Sequence, residues 1–317
     1  MDVNIEHFCT LFDKNYLPLG LSLYGSLVEH KECFHLWILC MDEVVEEQLK
    51  RLALDDVTLV PLQAVETSDL LSVKKERSRG EYCWTLTPFT FQMVFDRCIS
   101  ANRVTYLDAD LFFFDDPDIL LRELSTTEKH VLITEHAYAP EYDQSKDSGR
   151  FCVQFLTFCR TAQAMSVLRK WKNQCVDWCF DRVEENRFGD QKYLDDWPIE
   201  FGDVVHVVEQ REKTLAPWNI NFYSSHGSKE VNPVFYHFHG LRLLSRRFVR
   251  LYTDYRVGPQ GNLIYKEYAE ALSNSICQLR SLNLPVPYLP VAGDRVVTLI
   301  RYVKQVAARE ASFLLLK

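Results

Sequence analysis

The strongest constraint on the fold is the way short apolar runs alternate with helix-spaced segments over the first third of the chain. His7 to Phe12 is an apolar run of strand length, and Tyr16 to Val28 follows with Leu19, Leu23 and Leu27 at helical spacing. Phe34 to Cys40 (FHLWILC) and Val57 to Leu62 are further strand candidates, separated by the charged, helix-like Glu43 to Leu52. Strand–helix–strand succession brings right-handed crossovers and a mostly parallel sheet. The expected fold class is α/β: a mixed, mostly parallel sheet flanked by helices.

Composition narrows the class of molecule. With 317 residues there is room for one large α/β domain or two modest ones, and 47% apolar with 25% charged residues argues against disorder. The formal net charge of -8 disfavours a nucleic-acid partner, because phosphate backbones are bound through excess Lys and Arg. Met1 to His7 lacks the positive region that opens a secretory signal, and no apolar stretch has spanning length, so a cytoplasmic location is expected. The ten cysteines form no framework; Cys175 and Cys179 sit four apart and the rest are scattered. Reduced, buried thiols are the expectation.

Further along, Val65 to Glu81 is polar and charged and reads as a surface loop or mobile flap. Thr87-Pro88 has the look of a helix start, with the helix running to about Cys98. Arg103 to Leu107 is a strand, Pro117 to Leu124 a short helix, Val131 to Thr134 a strand and Ala137 to Arg150 a loop. Phe151 to Phe158 is strand-like, and Thr161 to Arg182 reads as one long helix. Val204 to Val208 and Val234 to His237 are short strands. Gly261 to Leu282 and Arg295 to Leu316 are helix-like on either side of the Pro-rich NLPVPYLP. The expected division is a catalytic domain over residues 1–245 and a helical C-terminal extension over 246–317.

The chemistry centres on VTYLDADLFFFDDP, Val104 to Pro117. An apolar strand delivers Asp108 and Asp110 at its C-terminal end, where open α/β sheets bind ligands. Two carboxylates one residue apart can share a hard cation, and Mg²⁺ or Mn²⁺ takes up diphosphate oxygens while held by such ligands. An Asp-x-Asp alone is common; here it follows a strand and precedes an aromatic run and an Asp-Pro turn.

YLDAD followed by aromatics and a DP turn resembles the GT-A glycosyltransferases, Rossmann-like nucleotide-diphospho-sugar transferases, especially family 8 and related bacterial enzymes. The resemblance runs from about Cys9 to Arg242. It implies that the stretch after the first strand grips the nucleotide, so Thr10, Asp13 and Tyr16 would contact base and ribose. It also implies a metal-completing His in YHFHG (Tyr236 to Gly240): His237 is in register and His239 is its neighbour. Nitrogen beside two carboxylates suits Mn²⁺ better than Mg²⁺. In FGDQKYLDDW (Phe188 to Trp197), the resemblance places Asp190 and Gln191 at the reaction centre, and Trp218 in APWN would support the same cleft.

Some positions depart from family 8. Trp84 stands where a basic residue usually lies, Gln154 replaces an Asn that touches donor sugar, and the Lys-Pro-Trp after the His-x-x-Gly is missing. Arg242 is left as the nearest cation for the diphosphate. The expected reaction is metal-dependent transfer of a sugar from a nucleotide-diphospho-sugar, expected to be UDP-linked, to a hydroxyl of a glycan or lipid-linked acceptor. The resemblance favours retention of configuration; inversion would need Asp190 or a neighbouring carboxylate as base. The alternatives are a catalytically inactive nucleotide-sugar or carbohydrate-binding protein, and a sugar-phosphate nucleotidyltransferase, whose Gly-rich basic N-terminal loop is absent here. Related bacterial enzymes suggest polysaccharide biosynthesis. The C-terminal VVTLIRYVKQVAAREASFLLLK, read as an amphipathic helix, could touch an anionic membrane peripherally or pack on protein.

Overall fold

Every residue of the first strand, β1 (Glu6–Phe12), is buried, as a strand covered on both faces must be. Its side chains alternate between two cores, Cys9 and Leu11 into one, Phe8 and Phe12 into the other. The computed structural model describes residues 5–226, 231–246, 248–289 and 304–315. After β1 come α1 (Leu17–His30), β2 (Phe34–Cys40), α2 (Glu43–Leu52), β3 (Val57–Pro61), α3 (Ser68–Lys74), α4 (Arg79–Arg97) and β4 (Arg103–Leu107). β5 (Leu111–Phe113), α5 (Asp118–Ser125), β6 (Val131–Glu135), α6 (Ser145–Ser148), β7 (Phe151–Cys159), α7 (Ala162–Asp177), α8 (Trp197–Glu200) and β8 (Val205–Val207) follow. The remainder is β9 (Thr214–Leu215), α9 (Ile220–His226), β10 (Phe235–His237), β11 (Arg242–Leu243), β12 (Phe248–Thr253), α10 (Gly258–Ser281) and β13 (Ala311–Leu315).

The main sheet has the order β3-β2-β1-β4-β7-β6-β8, parallel except where β7 pairs with β4 and β6. Leu17, Leu21, Leu23 and Leu27 of α1 cover one face together with Val45, Leu49 and Leu52 of α2. Leu86, Phe91 and Val94 of α4 and Val167, Leu168 and Trp171 of α7 cover the other. Each such side chain, fully buried, contributes about 1.5–3 kcal/mol of transfer free energy. The expected α/β class, a mixed and mostly parallel sheet, is what the chain forms.

Four expectations need correction. Val65 to Glu81 is no flap: it holds α3 and the first turn of α4. α3 buries only Leu70, so its composition reads as polar surface. α4 begins at Ser78, whose side chain accepts from Glu81 N while Glu81 accepts from Ser78 N, a reciprocal capping box. Pro88 lies inside the helix rather than at its start. The helix expected over Thr161 to Arg182 stops at Asp177, because Trp178 turns extended (φ -155°, ψ 124°). The helix expected over Arg295 to Leu316 also fails where the structure describes it: Ala311–Leu315 is β13, paired antiparallel with β12. Residues 295–303 and 316 of that expectation lie outside the described residues.

Two smaller sheets complete the architecture, β5-β10-β9 and β11-β12-β13. Tyr265, Tyr268 and Leu272 of α10 share a core with Leu19 of α1, Phe112 of β5 and Tyr236 of β10. The C-terminal residues are thus packed against the sheet that carries the motif. All ten cysteines are free thiols, so no cross-link holds these parts together. Among the described residues, no helix is long and apolar enough to cross a membrane.

Candidate active site

The sheet topology brings three sequence-distant segments to one edge. β4 runs parallel to β1, so Asp108 emerges beside the end of β1 and near Asp13. β7 runs the other way, so its beginning, Cys152 to Gln154, lies at that same edge, with Asp108 N donating to Gln154 O at 3.0 Å. The chain turns back at Asp108, with Leu111 N bonded to Asp108 O at 3.1 Å, and enters β5. β5 pairs with β10 in the register His237↔Leu111, and Phe238 N donates to Asp110 O at 2.9 Å. That register delivers His237 to the two aspartates.

His237 Nε2 lies 3.1 Å from Asp110 Oδ1 and 3.8 Å from Asp108 Oδ2. One potential ligand atom from each of the three residues falls within 4.8 Å of the others. On the far side of the ring, His237 Nδ1 bonds Gln154 Oε1 at 2.7 Å. A carboxamide oxygen only accepts, so Nδ1 carries the proton and Nε2 is the atom presented to a cation. This is the arrangement of a metal-ligating histidine held by an outer partner. Oxygen, oxygen and imidazole nitrogen is a donor set that fits Mn²⁺ or Mg²⁺. Gln154 is buried behind the histidine and orients it, rather than lining the cleft.

These groups shape one another's protonation. Burial pushes the Asp108 carboxyl up to about 6, with Asp110 adding to the rise and His237 opposing it. Burial also acts upward on Asp110, but the adjacent His237 charge and hydrogen bond win and hold it well below the usual range. For His237, burial disfavours the cation, yet Asp110 and then Asp108 keep it protonated well above its ordinary value. In this state the imidazolium stands in for a cation between the carboxylates.

The cluster lies in the wall of a cavity of about 720 Å³, of the size that takes a small-molecule ligand. Asp13, Tyr16 and Arg242 line it at one end. The Arg242 guanidinium sits 5.5 Å from the Tyr16 ring centroid, and its Nη1 donates to Leu241 O at 2.7 Å. Asp13 accepts from Asn15 N at 2.7 Å and pairs with Arg79 Nε at 2.6 Å. Thr10, by contrast, is fully buried in β1 and is not among the residues that line the cavity.

Asp190 and Gln191 line the same cavity. Gly189 before them has φ +52, and a Cβ there would sit 3.3 Å from the Trp84 ring, so glycine lets the turn press against α4. Trp171 Nε1 donates to Asp190 O at 2.8 Å, anchoring the turn to α7. Burial, then the Asp108 charge, push the Asp190 carboxyl up to about 7, with the Thr87 hydroxyl acting the other way. Gln191 Nε2 donates to Ser148 O at 2.7 Å.

Several lining residues were not picked out from the sequence. Arg79 comes from the first turn of α4, inside the stretch read as a flap. The Ser78-x-x-Glu81 pattern was the available signal for that helix start. His136 and Tyr138 stack with ring centroids 4.6 Å apart, and Trp218 packs edge-on against His136, His237 and His239. Burial, followed by the His237 charge, pushes His136 and His239 down to about 3 and about 4, so both are neutral imidazoles. Tyr255 reaches the cavity from beyond β12. A wall assembled from such loops has no sequence period to reveal it.

The fold and its edge site define a class: this is the GT-A glycosyltransferase fold. Mouse xyloside xylosyltransferase 1 superposes with a TM-score of 0.50 at 15% identity, covering 75% of this chain and 98% of that one. The galactosyltransferase LgtC, solved with donor and acceptor sugar analogs, superposes with a TM-score of 0.52 at 12% identity, covering 84% of this chain and 95% of that one. No protein-family model matches the sequence. The chain belongs to the family of YfnD and YfnF, two uncharacterized proteins of Bacillus subtilis (strain 168). It is 32% identical to YfnD over 287 residues, covering 87% of this chain and 91% of YfnD. It is 30% identical to YfnF over 290 residues, covering 87% of this chain and 94% of YfnF.

Proposed function

We propose that the protein is a metal-dependent glycosyltransferase. It would move a sugar from a nucleotide-diphospho-sugar, UDP-linked, to a hydroxyl of a glycan or lipid-linked acceptor, with retention as in family 8. The observation that carries this reading is the meeting of Asp108, Asp110 and His237 in the wall of the cavity that also holds Asp190 and Gln191. Those three residues would hold Mn²⁺ or Mg²⁺, and the bound ion would offset charge on the leaving diphosphate. Gln154 keeps His237 Nε2 turned toward that position. Asp13 and Tyr16 would take the nucleoside, and Arg242 would add a second positive charge at the diphosphate. Asp190 and Gln191 would face the transferred sugar and the incoming hydroxyl.

Calorimetry with UDP, GDP and their sugars, with and without Mn²⁺, tests the binding half, and donor hydrolysis over the same panel tests the chemistry. The expected outcome is Mn²⁺-dependent binding of one nucleotide class and slow hydrolysis of its sugar. Binding without hydrolysis or transfer would instead favour a catalytically inactive nucleotide-sugar protein. No binding of any nucleotide would sink both.

A further inference from the structure

Lys192 is a buried lysine next to the Asp190–Gln191 pair in sequence, and its side chain reaches the loop that begins at Ser145. Its Nζ donates to Ser145 O at 2.9 Å and Lys146 O at 3.0 Å, and pairs with Asp195 Oδ2 at 3.0 Å. The other Asp195 oxygen, Oδ1, accepts from Arg150 N at 2.8 Å and Phe151 N at 3.4 Å. Between these two anchors lies Ser148, whose carbonyl accepts from Gln191 Nε2. Gly149 closes the loop at φ +103, and a Cβ there would stand 3.4 Å from both Asp195 Oδ1 and the Lys192 Cα. The 3₁₀ turn Lys192–Asp196 therefore grips the start and the end of the loop through Lys192 and Asp195, while Gln191 holds its middle.

The chemistry of this clamp runs in one direction. A buried ammonium has to satisfy its donors, and here two backbone carbonyls and one carboxylate do so. The same contacts fix the position of the Ser148 carbonyl. That carbonyl can only accept, so it consumes the NH₂ end of the Gln191 carboxamide. Gln144, Ser148 and Gln191 all line the cavity, so the clamp sets the shape of the wall at the reaction end.

We propose that Lys192 is a positioning residue. By clamping the loop 145–151 it presets the Ser148 carbonyl and, through it, the orientation of the Gln191 side chain toward the transferred sugar. This rests on the glycosyltransferase reading above. Lys192 itself touches neither nucleotide nor sugar, so its loss should spare nucleotide binding at the other end of the cavity and slow the reaction.

The test is Lys192→Met, measured against wild type in three ways: UDP affinity by calorimetry with Mn²⁺, hydrolysis of the UDP-sugar that wild type turns over fastest, and hydrogen exchange over residues 143–151. The expected result is a UDP Kd within about twofold of wild type, kcat lower by about 10- to 100-fold, and faster exchange confined to the loop. A kcat unchanged despite faster loop exchange overturns the proposal, as does a parallel loss of UDP affinity and kcat. If Lys192→Met does not fold, Lys192→Gln, which keeps a donor for the carbonyls but loses the ion pair with Asp195, takes its place; a smaller fall in kcat with UDP affinity kept is then expected, and an unchanged kcat despite faster loop exchange again overturns the proposal. A wild-type protein that binds no nucleotide refutes the glycosyltransferase reading itself, a result distinct from either outcome in the variant. Wild type that binds UDP but hydrolyses no UDP-sugar counts against the enzymatic reading and overturns the Lys192 proposal with it, whereas the variant outcomes above overturn the proposal while leaving that reading intact.

Discussion

Asp110 and Asp190 are buried aspartates on the wall of one cavity, yet their surroundings drive them in opposite directions. Asp110 has His237 Nε2 at 3.1 Å, and that neighbour overrides burial and keeps the carboxylate charged. Asp190 is equally shut off from water, but its nearby charge is another carboxylate, so burial and Asp108 together carry it up to about 7. One end of the site is therefore prepared to hold a cation. The other holds a carboxyl that gains or loses its proton near neutral pH. The lesson is that residue type assigns the chemistry available, and the neighbours choose which part of it is used.

The most severe way to break this contrast is Asp110→Asn, which removes a ligand charge while keeping the shape. Metal-dependent donor hydrolysis should fall by about a thousandfold or more, with the circular dichroism spectrum unchanged. Retention of full activity would remove the metal end from the mechanism. Gln154→Leu probes the same end one step back. The His237 ring loses its Nδ1 acceptor, and Mn²⁺ affinity by calorimetry should weaken by about 10- to 100-fold. An unchanged affinity would mean that packing alone orients the imidazole.

The smallest effect concerns Asp190 and stability. The folded chain keeps this proton up to about pH 7, while an unfolded aspartate releases it near about 3.9. Between those values the unfolded state binds fewer protons, so this group lowers stability as pH rises and the loss is complete above the folded value. Asp190→Asn removes that loss. It should be more stable than wild type by roughly 1–2 kcal/mol at pH 8, a discount from the full linkage figure because the site relaxes on ionisation, with the difference shrinking toward pH 4. Thermal melts at the two pH values check it. Equal melting temperatures at pH 8 would show that Asp190 is not held against ionisation.

Much of the main sheet is legible in the sequence because its signals are local. β1, β2, β4 and β7 are predominantly apolar runs of strand length, and the two aspartates follow β4 directly. The first turns of α4 were obscured because the preceding α3 buries a single leucine, leaving a stretch whose composition resembles loop. The capping box at Ser78 and Glu81 was the better guide than Thr87-Pro88, since a reciprocal cap satisfies two otherwise unpaired backbone donors. At the C-terminus, the spacing in Ala311 to Leu315 fits a helix equally well, and pairing with β12 turned it into strand. Short apolar segments take their conformation from the partner available.

The site divides along the same line. Asp108 and Asp110 could be singled out because they follow a strand within one short segment, while His237, Asp190 and Gln191 were implied by the resemblance of their short segments to those of a known family. The place of Gln154 behind His237, of Arg79 against Asp13 and of Lys192 under the Ser145–Gly149 loop was not legible, because each depends on segments far apart in the chain. Sequence alone determined the alternation of strands and helices and placed two carboxylates at a strand end, since periodicity and motif are properties of neighbouring residues. Tertiary structure decided which atom of His237 faces those carboxylates, which aspartate keeps its proton and what holds the reaction wall. Those outcomes follow from burial and from charges brought together by the β5–β10 register and the reversed β7, and both are sums over residues that are neighbours only in space.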